Sequence, residues 1–154
     1  MIEAGKKAPA FSLPNAEGKK VALKDFAGVP LVLYFYPKDN TPGCTQEACD
    51  FRDNIARITA TGAAVVGVSA DSPESHTKFK AKYELPFELL SDQGYEMLGK
   101  YGVWKEKSLY GRTFLGIVRT TVVIDANGIV AKIFPKVKVK GHVDEVLSVL
   151  ASLS

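Results

Sequence analysis

The sequence predicts an α/β domain, with a mixed and largely buried β-sheet flanked by helices and preceded by an N-terminal β extension. Three stretches carry that reading. Leu31 to Tyr36 and Ala63 to Ala70 are almost wholly apolar runs of strand length with a helical stretch between them. A strand–helix–strand unit with both strands buried implies a parallel pair joined by a right-handed crossover. Thr120 to Ile124 and Ile129 to Phe134 flank the turn Asp125-Ala126-Asn127-Gly128, and Asn-Gly between apolar runs favours an antiparallel hairpin. Parallel and antiparallel strands are therefore expected to share one sheet.

Taken in order, the first thirty residues read as an extended lead-in. Ala8 to Pro14 is interrupted by prolines, Asn15-Ala16-Glu17-Gly18 is a turn cluster, and Val21-Ala22-Leu23 can pair back as a short strand. This segment is expected to cap the core. Leu31 to Tyr36, bounded by Pro30 and Pro37, is the first central strand. Thr41 then opens a helix, with Pro42 suited to its first position. Phe51, Ile55 and Ile58 recur at helical spacing, which carries that helix to about Gly62. After the second strand, Ser72-Pro73 caps a helix to about Tyr83, with His76, Phe79, Lys80 and Tyr83 on one face. Pro86 ends the connection to a strand at Phe87 to Leu90. A short helix falls between Asp92 and Tyr101, and Val103 to Gly116 shows no clear period. Past the hairpin, Val143, Val146, Leu147 and Leu150 mark an amphipathic helix from His142 to about Ala151.

With 154 residues and 46% hydrophobic composition the chain can bury one core, and a single domain over residues 1–154 is expected. Twenty Lys plus Arg against seventeen Asp plus Glu give a net charge of +3. These charges are interspersed rather than gathered into a stripe, so nothing argues for nucleic acid. Met1 to Pro9 lacks the apolar core of a signal peptide, and no run approaches the roughly eighteen apolar residues that span a bilayer. The expectation is a cytoplasmic protein with no membrane partner.

The chain has two cysteines, too few for a disulfide framework of the secreted kind. Both lie where an apolar strand gives way to a helix. With Thr41 as N-cap, its hydroxyl is expected to accept from a first-turn N–H, and Cys44 falls at the third helical position. An ordinary thiol is only a few per cent thiolate at neutral pH, and the thiolate is the nucleophile. Unpaired N–H groups and the macrodipole of a first turn favour that anion, which makes Cys44 the candidate for attack. Cys49 is five residues on. In an unbroken helix such residues have Cα atoms roughly 8 to 9 Å apart, beyond the roughly 7 Å limit for a disulfide without backbone movement. Pairing would require the first turns to unwind, and Gly43 makes opening easier there. From the residues alone, Cys49 is open to two readings, a helix residue on the buried face or a second redox thiol.

Tyr36-Pro37-x-x-x-Thr41-x-x-Cys44 resembles the Pro-x-x-x-Thr/Ser-x-x-Cys motif of the peroxiredoxins, thiol peroxidases on a thioredoxin-like fold. Phe35-Tyr36-Pro37-Lys38-Asp39, Thr41-Pro42-Gly43-Cys44-Thr45, Glu47-Ala48 and Phe51-Arg52-Asp53 are similar to the bacterioferritin comigratory protein, or peroxiredoxin Q, branch. The likeness runs from Ala8-Pro9-x-Phe11 to Lys140-Gly141-His142-Val143. It implies that Cys44 is the peroxidatic cysteine, oxidised to a sulfenic acid by hydrogen peroxide or organic hydroperoxides. It implies further that Thr41 hydrogen-bonds the peroxide and the thiolate, and that Pro37 shields the pocket. Arg119, in Gly116-Ile117-Val118-Arg119-Thr120-Thr121, matches the active-site arginine, and Cys49 matches the resolving cysteine. The implied disulfide is intramolecular and is reduced by thioredoxin or a similar dithiol protein. No metal or organic cofactor is required.

Other residues receive plainer readings. Arg52 and Arg112 compete with Arg119, and the family motif decides for Arg119. Glu47 suits a helix N-terminus electrostatically and receives no catalytic role. His76 and His142 have no Cys or carboxylate at ligand spacing and are read as surface or packing residues. Trp104, Tyr110 and Phe114 are read as core or loop packing in preference to an active-site rim or dimer contact. The branch resemblance, with no obvious exposed apolar stripe, points to a monomer. Two other functions use the same thiols. One is general thiol–disulfide exchange, which normally uses Cys-x-x-Cys where this chain has Cys-x-x-x-x-Cys. The other is a peroxide-responsive sensor or holdase that shares the first oxidation step.

Overall fold

The structure is a computed structural model, and it describes residues 2–153 of the 1–154 chain; Met1 and Ser154 lie outside the described residues. A five-stranded sheet organises it. Its strands are β3 (Leu31–Phe35), β4 (Ala64–Ser69), β5 (Glu88–Ser91), β8 (Thr120–Ile124) and β9 (Val130–Phe134), in the order β5-β4-β3-β8-β9. β3 runs parallel to β4, and β4 to β5, while β8 is antiparallel to both β3 and β9. The mixed sheet expected from the apolar runs is present, and with its flanking helices it is a thioredoxin-like arrangement.

Side-chain alternation along β3 divides the core in two. Leu31, Leu33 and Phe35 face one cluster, with Val66, Val68, Leu90, Val122 and Ile124. Val32, Tyr34 and Tyr36 face the other, with Val65, Leu89 and Val123. Period-two geometry sends successive side chains to opposite faces, and both faces are covered, so β3 is apolar throughout. The first face is closed by α4 (Glu96–Lys100) through Met97 and Leu98, and by Phe11 of the N-terminal segment. The second is closed by α1 (Pro42–Asp53), α2 (Ile55–Thr59), α3 (Pro73–Tyr83) and α5 (His142–Ser152). Gly67 faces Tyr34 across the β3–β4 ladder. A Cβ there would lie 2.8 Å from Tyr34 Cζ and Leu89 Cδ2, so the tyrosine ring packs flat against the strand only because that position is bare.

The N-terminal extension is a two-stranded antiparallel unit, β1 (Ser12–Pro14) with β2 (Lys20–Ala22), tied to the main sheet by a bridge from Asn15 to Leu90. No helix among the described residues is long and apolar enough to cross a membrane.

Three expectations change. The helix expected from Thr41 to Gly62 is two helices, separated at Asn54 with φ −112° and ψ 10°. The Asn54 side-chain amide donates to the Asp50 carbonyl at 2.8 Å, while its backbone N–H turns to Phe51. This is how an asparagine side chain competes with the helical ladder. The unassigned stretch 103–116 is a hairpin, β6 (Trp104–Leu109) and β7 (Arg112–Ile117), turning through Tyr110 and Gly111, both with positive φ. Trp104 stacks on Tyr95, but Phe114 is exposed and Tyr110 is 96% exposed. Those two are therefore not packed in a core or loop. Leu109 and Leu115 are exposed on the same hairpin, Leu109 on the face that carries Phe114 and Leu115 on the opposite face.

Candidate active site

The site is assembled by α1 and the segment between β7 and β8. Thr41 has extended backbone angles, φ −92° and ψ 155°, and is the N-cap of α1, with Pro42 in the first turn as expected. Its hydroxyl departs from expectation. No side-chain cap bond forms; Thr41 Oγ1 instead donates to the Lys38 carbonyl at 2.8 Å. The hydroxyl thus fastens the turn before the helix, and the first-turn N–H groups are left uncapped by it.

Cys44, Glu47, Ala48 and Phe51 are the buried residues of α1, at i, i+3, i+4 and i+7, one face of a helix. Cys44 is 2% exposed and unpaired. Arg119, 75 residues away in sequence, places Nη2 3.4 Å from Cys44 Sγ and Nη1 2.6 Å from Glu47 Oε1. Its backbone is fixed as well, because Val137 N–H donates to the Arg119 carbonyl at 2.9 Å. A Cβ on Gly43 would come 3.1 Å from Arg119 Nη2, so the small residue before the cysteine lets the guanidinium approach. A planar group with several donors can hold a carboxylate on one edge and a thiolate on another.

Of the competing arginines, Arg52 bonds Asp53 and the Tyr83 carbonyl, and Arg112 is exposed beside the β6–β7 turn. Only Arg119 among them is brought to Cys44. Pro37 follows Tyr36 directly and is half-buried. Cys49 is half-buried and unpaired, in the same continuous helix as Cys44, so the separation expected for a five-residue helical spacing applies.

Glu47 corrects the sequence reading. It is not a solvated helix-terminus charge but a carboxyl 1% exposed, joined to the arginine that faces the thiol. Its place on the apolar stripe three residues after Cys44 was the available signal. Burial pushes its pKa up to about 7, against the attraction of Arg119. Burial also works against the charge of Arg119, but Glu47 and Cys44 beside it outweigh that and hold its pKa above the ordinary range. With 17% of its side chain exposed, Arg119 retains the water contact that Glu47 lacks and stays charged while Glu47 titrates.

A raised carboxyl pKa means that the folded state binds the proton more tightly. The stability linked to Glu47 is therefore full below its unfolded value of 4.5 and is lost as pH rises to about 7. The change is on the order of 3 kcal/mol at most. In urea denaturation across that window, wild type should lose stability relative to Glu47→Gln as pH rises. A difference that stays flat with pH would show that Glu47 titrates normally.

Both histidines are buried, the packing half of their surface-or-packing reading, and both are hydrogen-bonded. His142 Nε2 lies 2.7 Å from Thr121 Oγ1, and burial lowers its pKa against the opposing pull of Glu145. His76 meets Asp39 at 2.7 Å, a carboxylate partner 37 residues distant in sequence that no local spacing discloses.

A buried thiol at the start of a helix, faced by a charged guanidinium on a thioredoxin-like sheet, is the arrangement of a class of proteins suited to nucleophilic chemistry at cysteine. A model of the AhpC/TSA family matches residues 4–133. The chain is 48% identical over 153 residues to peroxiredoxin Bcp of Bacillus subtilis, covering 99% of this chain and 98% of that one. It is 44% identical over 147 residues to peroxiredoxin Bcp of Escherichia coli, covering 96% and 94%. A solved bacterioferritin comigratory protein of Xanthomonas campestris superimposes with a TM-score of 0.91 at 40% identity, over 97% of this chain and 98% of the other. The chain belongs to the peroxiredoxins, in their bacterioferritin comigratory protein and peroxiredoxin Q branch.

Proposed function

We propose that this chain reduces peroxides through Cys44 as nucleophile, with Arg119 as charged donor, Thr41 and Pro37 shaping the pocket, and Cys49 as resolving thiol. The Cys44 thiolate attacks one peroxide oxygen, the O–O bond breaks, and the departing alkoxide or hydroxide takes up a proton. Cys44 is left as a sulfenic acid. Negative charge moves from sulfur to the leaving oxygen during this step, and a fixed guanidinium beside both atoms stabilises the transition state without reorganising. The observation that carries the reading is the 3.4 Å contact between Arg119 Nη2 and the buried Cys44 sulfur, made while Glu47 holds the other edge of the guanidinium.

Burial of Cys44 also favours peroxide reduction over general thiol–disulfide exchange. A cysteine only 2% exposed is harder for a protein disulfide to approach than for a small hydroperoxide. The Xanthomonas relative is described as reducing alkyl peroxides, which supports organic hydroperoxides as substrates beside hydrogen peroxide.

In the second step the Cys49 thiolate attacks the Cys44 sulfenic sulfur and hydroxide leaves as water. The resulting disulfide needs two electrons from thioredoxin or a similar dithiol protein. We place the enzyme in the cytoplasm, where such reductants keep thiols reduced, and read residues 1–154 as one domain because both core clusters share the same sheet.

The resolving role is tested by Cys49→Ser. One equivalent of hydrogen peroxide should still give a Cys44 sulfenic acid, trapped by dimedone and located by mass spectrometry. Turnover coupled to thioredoxin should fall to a small fraction of wild type. Full recycling in Cys49→Ser would remove Cys49 from the cycle.

A further inference from the structure

Behind the loop from Pro37 to Thr41 lies a buried polar cluster that the peroxide chemistry does not use. His76, on α3, is fully buried. Its Nε2 is 2.9 Å from the Leu90 carbonyl of β5; a carbonyl can only accept, so Nε2 carries a proton. Its Nδ1 is 2.7 Å from Asp39 Oδ2. Neither an unprotonated nitrogen facing a carboxylate nor two donors facing one another would hold that distance, so one proton lies between them. The same Oδ2 accepts the Ser75 hydroxyl at 2.8 Å, and Oδ1 accepts the Tyr36 hydroxyl at 2.5 Å. Two hydroxyl donors aimed at the carboxyl favour its ionised form, which puts the shared proton on Nδ1.

We propose that His76 is held as an imidazolium paired with Asp39, and that this buried ion pair positions the 37–41 loop, and with it the first turn of α1, for reaction of Cys44 with peroxide. The proposal rests on the role given to Cys44 above. Every element around the pair contributes: Tyr36 from the end of β3, Ser75 from α3, the Leu90 carbonyl from β5, and Asp71 from the loop after β4. Asp71 Oδ2 accepts from Asp39 N–H at 2.8 Å and from the Ser69 hydroxyl at 2.6 Å. Tyr36 remains a donor, since burial, Tyr34 and Asp39 hold its pKa well above the usual value.

The loop is fastened to α3 a second time. Asn40 has φ +60°, a left-handed conformation that asparagine tolerates better than most residues, and its Oδ1 accepts from Lys82 Nζ at 3.3 Å and from the Tyr83 hydroxyl at 3.2 Å. With Asp39 and Asn40 each bonded to side chains of α3 and Thr41 bonded to Lys38, the chain has little freedom before it enters α1. His76 and Asp39 are thus positioning residues, and neither touches the sulfur.

Two measurements test the assignment. In wild type at pH 7, long-range nitrogen–proton NMR should find both ring nitrogens of His76 protonated. His142, whose Nε2 meets the Thr121 hydroxyl, should show one protonated nitrogen and serves as the internal control. A His76 spectrum with one protonated nitrogen overturns the proposal, whether or not any variant folds. The His76→Gln variant keeps a donor but loses the charge, and should oxidise Cys44 about tenfold or more slowly, because small misplacements of reacting groups cost that much. Adding Asp39→Asn to His76→Gln should cost little further, because two members of one buried pair do not lose their effect twice. A wild-type rate in His76→Gln at every pH overturns the positioning role. Failure of the Cys44 reading is separate, because it would show as full activity in Cys44→Ser with the His76 spectrum unaffected.

Discussion

Cys44→Ser is expected to lose peroxide turnover by about three orders of magnitude or more, the scale on which removal of a nucleophile acts in other covalent enzymes. The hydroxyl fits the space and still faces Arg119, so the variant should fold and melt close to wild type. What it lacks is a thiol, whose thiolate is the species that attacks oxygen. Cys49 does not replace it, because the guanidinium is spent on Cys44 and Glu47 and the second thiol lies in the third turn of α1. Stopped-flow measurement of hydrogen peroxide consumption decides the matter. Undiminished turnover in Cys44→Ser would remove this cysteine from the chemistry.

Arg119→Ala is expected to slow Cys44 oxidation by about 10²- to 10³-fold, the range seen when one preorganised donor is deleted from a charge-stabilising site. Arg119→Lys should fall between the two, for it keeps the charge but cannot present two edges at once. The loss should not add to that of Glu47→Gln. Without the guanidinium, Glu47 is a buried carboxyl with no cation and takes up a proton, which makes it resemble glutamine before any substitution. The double variant should therefore be little worse than Arg119→Ala alone. An unchanged oxidation rate in Arg119→Ala would contradict the electrostatic account, and strict additivity would contradict the coupling.

The sheet was legible because its central strands are buried on both faces and so read as unbroken apolar runs. Helices α3 and α5 were legible for the complementary reason, with one apolar stripe each and, for α3, a Ser-Pro start. Burial pattern failed at the β6–β7 hairpin, where both strands are largely solvent-exposed and alternate nothing across a core. It failed also at Asn54, where a single side chain takes over one carbonyl of the helical ladder. Cys44 could be found from its place three residues after a cap. Arg119 could be found only by resemblance, since its partners lie more than seventy residues away. Glu47 and the Asp39–His76 pair were missed for one physical reason: a charged residue reads as solvent-facing until the tertiary fold supplies the opposite charge that lets it be buried.

The geometry sets a demand on motion. The fold holds Cys44 at the uncapped start of an intact α1, facing Arg119, and that same intact helix keeps Cys49 too far away for a disulfide. Hydrogen exchange on the reduced protein and on the protein oxidised with one equivalent of peroxide, combined with disulfide mapping, tests this most directly. The account predicts a Cys44–Cys49 disulfide in the oxidised form, with protection lost across the first turns of α1 and kept in β3 and α5. A mapped Cys44–Cys49 disulfide with α1 still fully protected, or stoichiometric oxidation that leaves Cys44 as a free thiol, would contradict it.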